Sequence, residues 1–200
     1  MKKFLFAGFA FFLCIAPLAS AFALCACCAE PGHYSIRTRK LDRYVSGELK
    51  KLKFDAATLY TDAGYPETIK GLAPLGEDYS ANASLSGSSW KFAFKDDGAR
   101  AGALNLAKPF SMIEYMVDQE PTTSGEPPKM VSLYKEWRFK YRVETGNGFF
   151  RRGITPKTEY FLVLHGSGNA CTSAADFKYW RLEVSGARAK YAFFGKLSGG

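Results

Sequence analysis

Along residues 130–144 apolar and polar side chains alternate. Val131, Leu133, Trp137, Phe139, Tyr141 and Val143 fall on one face, and Ser132, Tyr134, Glu136, Arg138, Lys140, Arg142 and Glu144 on the other. A period of two over that length predicts a β-strand with one face in a core, because a helix would spread the same residues around its circumference. The rhythm recurs at Trp90, Phe92 and Phe94, separated by Lys91, Ala93 and Lys95. Asp96-Asp97-Gly98 follows and predicts a hairpin turn, since Gly takes the positive φ such turns need. The return strand carries Leu104 and Leu106 and ends at Pro109, which has no N–H to give to a ladder.

Further strands are expected over 110–117, 158–165, 177–185 and 189–197. Thr145-Gly146-Asn147-Gly148 and Gly186-Ala187 read as turns, and 120–129, with three prolines, as a loop. The region before residue 88 is less decided. In 33–62, Leu41, Tyr44, Val45, Leu49 and Leu52 approximate helical spacing, but Gly47 interrupts it and Leu52/Phe54 alternate like a strand. Residues 63–88 are rich in Gly, Ala, Pro and Ser and read as a long connection with at most one short element. Closely spaced strands, Gly-rich turns and no βαβ rhythm predict an all-β, mainly antiparallel fold: a single-domain barrel or sandwich of about eight strands.

The first 23 residues do not fit this pattern. Met1-Lys2-Lys3 precedes an apolar run, and Ala21-Phe22-Ala23 is a small-x-small cleavage pattern. These are the parts of a secretory signal. The apolar stretch before Pro17 is about 13 residues, short of the roughly 20 that a spanning helix needs. Residues 1–23 are therefore expected to be removed, leaving 24–200 as one β-rich domain with a cysteine-containing segment at 24–32. The mature chain is expected to be periplasmic or extracellular, with no transmembrane helix. The rival is a lipoprotein anchored through Cys27, since Leu24-Cys25-Ala26-Cys27 is half of a lipobox.

Export changes the arithmetic of charge and cysteine. The 200 residues carry 27 basic and 19 acidic side chains, a net +8; losing Lys2 and Lys3 leaves +6. Cys25, Cys27, Cys28 and Cys171 remain, an even number in an oxidising compartment, and they are the disulfide candidates. A bridge from Cys171 to the N-terminal group would close a loop of about 145 residues, and in the chain-entropy model would contribute about 5 kcal/mol. The same cysteines with His33 and His165 form two clusters of soft and borderline donors, so a zinc or copper site is the alternative. Their spacing matches no paired Cys-x2-Cys motif. Cys25-Ala26-Cys27-Cys28 also has the spacing of thiol–disulfide exchange proteins, without the βαβ setting that activates such a thiol.

Motifs for other chemistry are absent from the sequence. His165-Gly166-Ser167-Gly168 lacks the Gly-x-Ser-x-Gly elbow of a hydrolase, and there is no phosphate loop, dinucleotide fingerprint or calcium loop. Arg138, Lys140 and Arg142 line one strand face, and Arg151 and Arg152 lie just beyond the next turn. These five are candidates for meeting an anionic envelope component. Nucleic acid is not expected outside the cytoplasm. The sequence thus points to a non-enzymatic binding or envelope-associated module. The alternatives are a metal-binding or thiol-redox protein built on the Cys/His clusters, or an enzyme with a site in a barrel mouth. Intact-mass measurement of the exported protein should show a chain starting at Leu24; a chain that keeps Met1 would refute cleavage, and a diacylglycerol-modified Cys27 would establish the lipoprotein.

Overall fold

The computed structural model describes residues 32–60, 69–72, 76, 78–119, 132–168 and 173–198. The chain opens with strand β1 (Tyr34–Lys40) and helix α1 (Arg43–Leu49). Strands β2 (Lys53–Phe54), β3 (Ala56–Tyr60), β4 (Asp78–Ser84), β5 (Ser89–Asp96), β6 (Ala101–Ala107) and β7 (Ser111–Gln119) follow. The long β8 (Ser132–Gly148) leads to β9 (Glu159–Gly168), a 3-10 turn at Ala174–Asp176, β10 (Phe177–Gly186) and β11 (Ala189–Ser198).

Every pairing is antiparallel, and the sheet closes on itself. Running β3-β4-β5-β6-β8-β9-β10-β11, each strand pairs with the next, and β11 pairs back onto β3 through Phe193–Leu59. This is an eight-stranded up-and-down barrel with extra strands. The alternation left an all-β barrel or sandwich open, and the fold is the barrel.

Strands β6 and β7 are two halves of one line broken at Pro109. β6 lies on the C-terminal half of β8 (Gly102 opposite Gly148) and β7 on its N-terminal half (Gln119 opposite Ser132). Beyond the break the neighbour on the far side changes from β5 to β1, so β1 and β7 extend the wall as a flap.

The undecided 33–62 region holds both of its readings. Asp42 caps α1 by accepting from the Val45 N–H at 2.8 Å, which satisfies one of the orphan donors of the first turn. Val45 and Leu49 are buried to 0% and 1% exposure, and Phe54 joins the core from β2. The long connection at 63–88 contains a full strand, β4. On the inward face of β4, Ala81 and Ala83 stand opposite the bulky Phe94 and Phe92, so small side chains fill the space and the alternation signal is weak.

The expected turn at residues 145–148 is instead the end of β8. The chain reverses at 149–153, where Phe150 N–H bonds the Asn147 carbonyl. The glycines there serve close approach: a methyl group on Gly148 (φ 55°) would sit 1.9 Å from the Ala101 carbonyl oxygen.

The barrel interior is an aromatic core. Trp90, Trp137 and Trp180, with Phe92, Phe94, Phe139, Phe150 and Phe193, are all at or below 2% exposure. Their contacts are largely edge to face or tilted, as with Trp90 and Phe139 at 5.2 Å and 82°, a favoured geometry for aromatic pairs. Phe139 sits in this core, whereas Lys140 faces solvent and pairs with Glu159 at 3.1 Å. Phe139→Ala should cost about 3–5 kcal/mol, and Lys140→Ala less than about 0.5 kcal/mol. Chemical denaturation of the two variants checks this, and equal shifts would contradict the face assignment.

Candidate functional site

The two ends of the barrel differ in kind. At one end α1 caps the core, held by charged groups. Glu48 is buried and accepts the Ala174 N–H at 2.8 Å and a bond from Lys51. Lys135 is fully buried, donates to the Ser173 carbonyl and lies 3.3 Å from Asp176. Glu114, nearby, pairs with Arg39 at 3.1 Å. Lys135 occupies an inward position of β8, in the row of Leu133 and Trp137, which the apolar pattern of the sequence skips over. The 3-10 turn reaches Lys135 because β9 yields to it: methyl groups on Gly166 and Gly168 would collide with Asp176. His165-Gly166-Ser167-Gly168 is thus a packing feature of a strand.

Electrostatics at this end are set by burial. Desolvation opposes the Glu48 carboxylate, but the bonds from Lys51 and the Ala174 N–H, with the charges of Lys51 and Lys135, outweigh it and hold the pKa below its ordinary 4.5. Desolvation lowers the Lys135 pKa, against the pull of Asp176, Glu114 and Glu48.

At the opposite end, loops leave a cleft of about 810 Å³. Residues 69–72 dock on the β10–β11 turn, with the Lys190 N–H bonded to the Lys70 carbonyl at 3.0 Å. Gly71 (φ 91°) makes the approach possible, since a methyl group there would come within 2.5 Å of the Arg188 carbonyl oxygen. The 149–153 reversal completes the wall. Lys70, Arg151, Arg152 and Arg188 all line this cleft around the half-buried Phe149. Among the described residues no carboxylate pairs with any of the four. Cations of the outer wall behave differently: Arg138 is bonded to Glu136, Lys140 to Glu159 and Arg181 to Glu183.

The five anion candidates of the sequence therefore divide. Arg138 and Lys140 are neutralised, and Arg142 lies 5.6 Å over the Tyr141 ring. Arg151 and Arg152 enter the cleft, where the fold adds Lys70 and Arg188. The missed Lys70 sits in a Gly/Pro-rich stretch whose docking onto the last hairpin depends on barrel closure, which no local pattern reports.

The two histidines are not brought together. His33 continues the β1 ladder and lies 3.8 Å from Asp118. His165 is on β9 opposite Glu136. Three interstrand steps, about 14 Å, and opposite faces of the sheet separate them. His165 stacks on Tyr179 at 5.4 Å, and burial lowers its pKa against the pull of Glu136. Cys25, Cys27, Cys28 and Cys171 lie outside the described residues, as does the 1–23 segment. Among the described residues no group of three His, Cys, Asp or Glu side chains forms a metal site, and no helix is long and apolar enough to cross a membrane.

The Glu48 geometry gives a pH dependence. A carboxylate with a folded pKa below 4.5 stabilises the fold above that pH, and this contribution is lost as pH falls through the folded value. Glu48→Gln should cost about 1–3 kcal/mol at pH 7 and flatten the fall in stability below about pH 4.5. Thermal melts of both proteins across that range measure the difference, and parallel curves would refute it.

No family model matches the chain, and neither the curated proteins nor the solved structures yield a significant match.

Proposed function

We propose that this chain is an exported, non-enzymatic binding protein whose basic end cleft captures an anionic group of an envelope component. The observation that carries the reading is the convergence of Lys70, Arg151, Arg152 and Arg188 on one cleft with no carboxylate paired to them among the described residues. Unopposed cations around a concavity raise the local concentration of anions. Guanidinium groups present a planar fork that matches phosphate or carboxylate oxygens two at a time. The aromatic packing of the barrel supports an exterior site, because an eight-stranded interior filled by its own side chains has no room for a ligand. Export is supported by the signal-like pattern of residues 1–23.

Phosphate is the shared chemistry of a lipid headgroup and a free phosphoester, and binding measurements separate the two. The mature protein should bind vesicles containing phosphatidylglycerol more tightly than phosphatidylcholine vesicles if the source is a lipid. It should bind glycerol phosphate with comparable affinity per site if the source is free. In either case the double variant Arg151→Gln/Arg152→Gln should bind at least about tenfold more weakly, and raising salt from about 0.05 to 0.5 M should weaken the wild type more than the variant. Binding that ignores both the arginines and the salt would overturn the reading.

A further inference from the structure

A second concavity lies on the outer wall, far in the sheet from the basic cleft. It is a groove of about 580 Å³ over β3, β10 and β11, with His165 of β9 at its edge. That size falls in the range of small-molecule sites. Tyr179 and Phe194 line it and are 46% and 44% exposed, although both are large apolar rings on the solvent side of a strand. Their positions follow from the register. Tyr179 stands opposite Lys196, and Arg181 opposite Phe194, so the two rings are diagonal neighbours about 7–8 Å apart at their backbones. They make no ring contact with each other. Tyr179 instead stacks on His165 with an interplanar angle of 26°, which fixes its orientation from behind. Ala56 and Thr58 of β3 add only small side chains beside the pair.

Exposed aromatic rings at neighbouring positions favour a planar ring as their contact, stacked or edge on. Charge narrows the class of ring. Arg181 is paired with Glu183 at 2.9 Å, and the Thr58 hydroxyl is bonded to Asp78 at 2.9 Å. Lys196 lines the same groove and has no carboxylate partner among the described residues. We infer that the Tyr179–Phe194 groove is a binding site for a small planar aromatic anion, the ring packed against these side chains and the acid group paired with Lys196.

Titration of the mature protein, followed by calorimetry and by shifts of the Tyr179 and His165 ring resonances, tests this with three probes: 2-naphthoate, 2-naphthamide and cyclohexanecarboxylate. The expected result is binding of 2-naphthoate at least tenfold tighter than cyclohexanecarboxylate and several-fold tighter than 2-naphthamide. Tyr179→Ala and Phe194→Thr, both at exposed positions, should each weaken 2-naphthoate tenfold or more with melting curves unchanged. Lys196→Gln should abolish the preference for the acid over the amide. Arg151→Gln/Arg152→Gln should bind 2-naphthoate as the wild type does, which separates this groove from the end cleft. Equal affinity for the flat and the saturated acid, loss of binding in the double arginine variant, or no shift at Tyr179 would overturn the inference.

Discussion

An eight-stranded barrel is only wide enough for its own side chains to meet across the middle, and this chain fills that width with aromatic rings. Three tryptophans lie at 1% exposure or less. Their indole N–H groups, and the Tyr191 hydroxyl, have no hydrogen-bond partner among the described residues. Leaving such donors unpaired costs about 1–3 kcal/mol each, so the core accepts a penalty in exchange for ring area. Tyr160, by contrast, reaches the Ala107 carbonyl at 2.9 Å. A core this full leaves its concavities on the rims and the outer wall.

The ends then take different parts. Closing one end requires α1 and the 3-10 turn to meet, and they do so through Glu48 and the Ala174 N–H, beside the buried Lys135–Asp176 pair. A buried ion pair adds little net stability over a well-packed apolar pair, but losing one partner is expensive. Lys135 therefore specifies where the turn and helix sit more than it strengthens the barrel. Among the described residues the other end has no such plug. Its loops meet through backbone at Gly71, Gly148 and Gly153, where a side chain would clash, and the long cations project around them.

The strands were legible wherever one face was apolar and the other polar: β5, β8 and β10 announce themselves through Trp90, Trp137 and Trp180. Legibility failed where packing overrides pattern. The alanines of β4 hide a strand because the rings opposite leave no room for larger residues. Gly146 and Gly148 mimic a turn because close approach and chain reversal call for the same residue. Lys135 breaks an apolar row because its partners, Ser173 and Asp176, come from about 40 residues downstream. Closure was the least legible step of all. The pairing of β3 with β11 joins segments over a hundred residues apart, and the Lys190–Lys70 backbone bond with the close approach at Gly71 then sets Lys70 on the turn that carries Arg188.

Charge follows the same logic. A count of lysines and arginines describes the whole surface as basic, yet the wall formed by β8, β9 and β10 is locally balanced, with Glu136, Glu159 and Glu183 each beside a cation. Alternating strands make that balance easy, because residues two apart on one strand or opposite on neighbours lie within reach of each other. Loops offer no such regular partner. Among the described residues, cations without a carboxylate partner therefore gather where the ladder ends, at the reversals after β8 and between β10 and β11, and at Lys70 before β4. Arg138 and Arg151 look alike in the sequence, but the first has a strand neighbour to neutralise it and the second projects from a loop. The ladder, more than the composition, decides which of the described cations have a carboxylate partner.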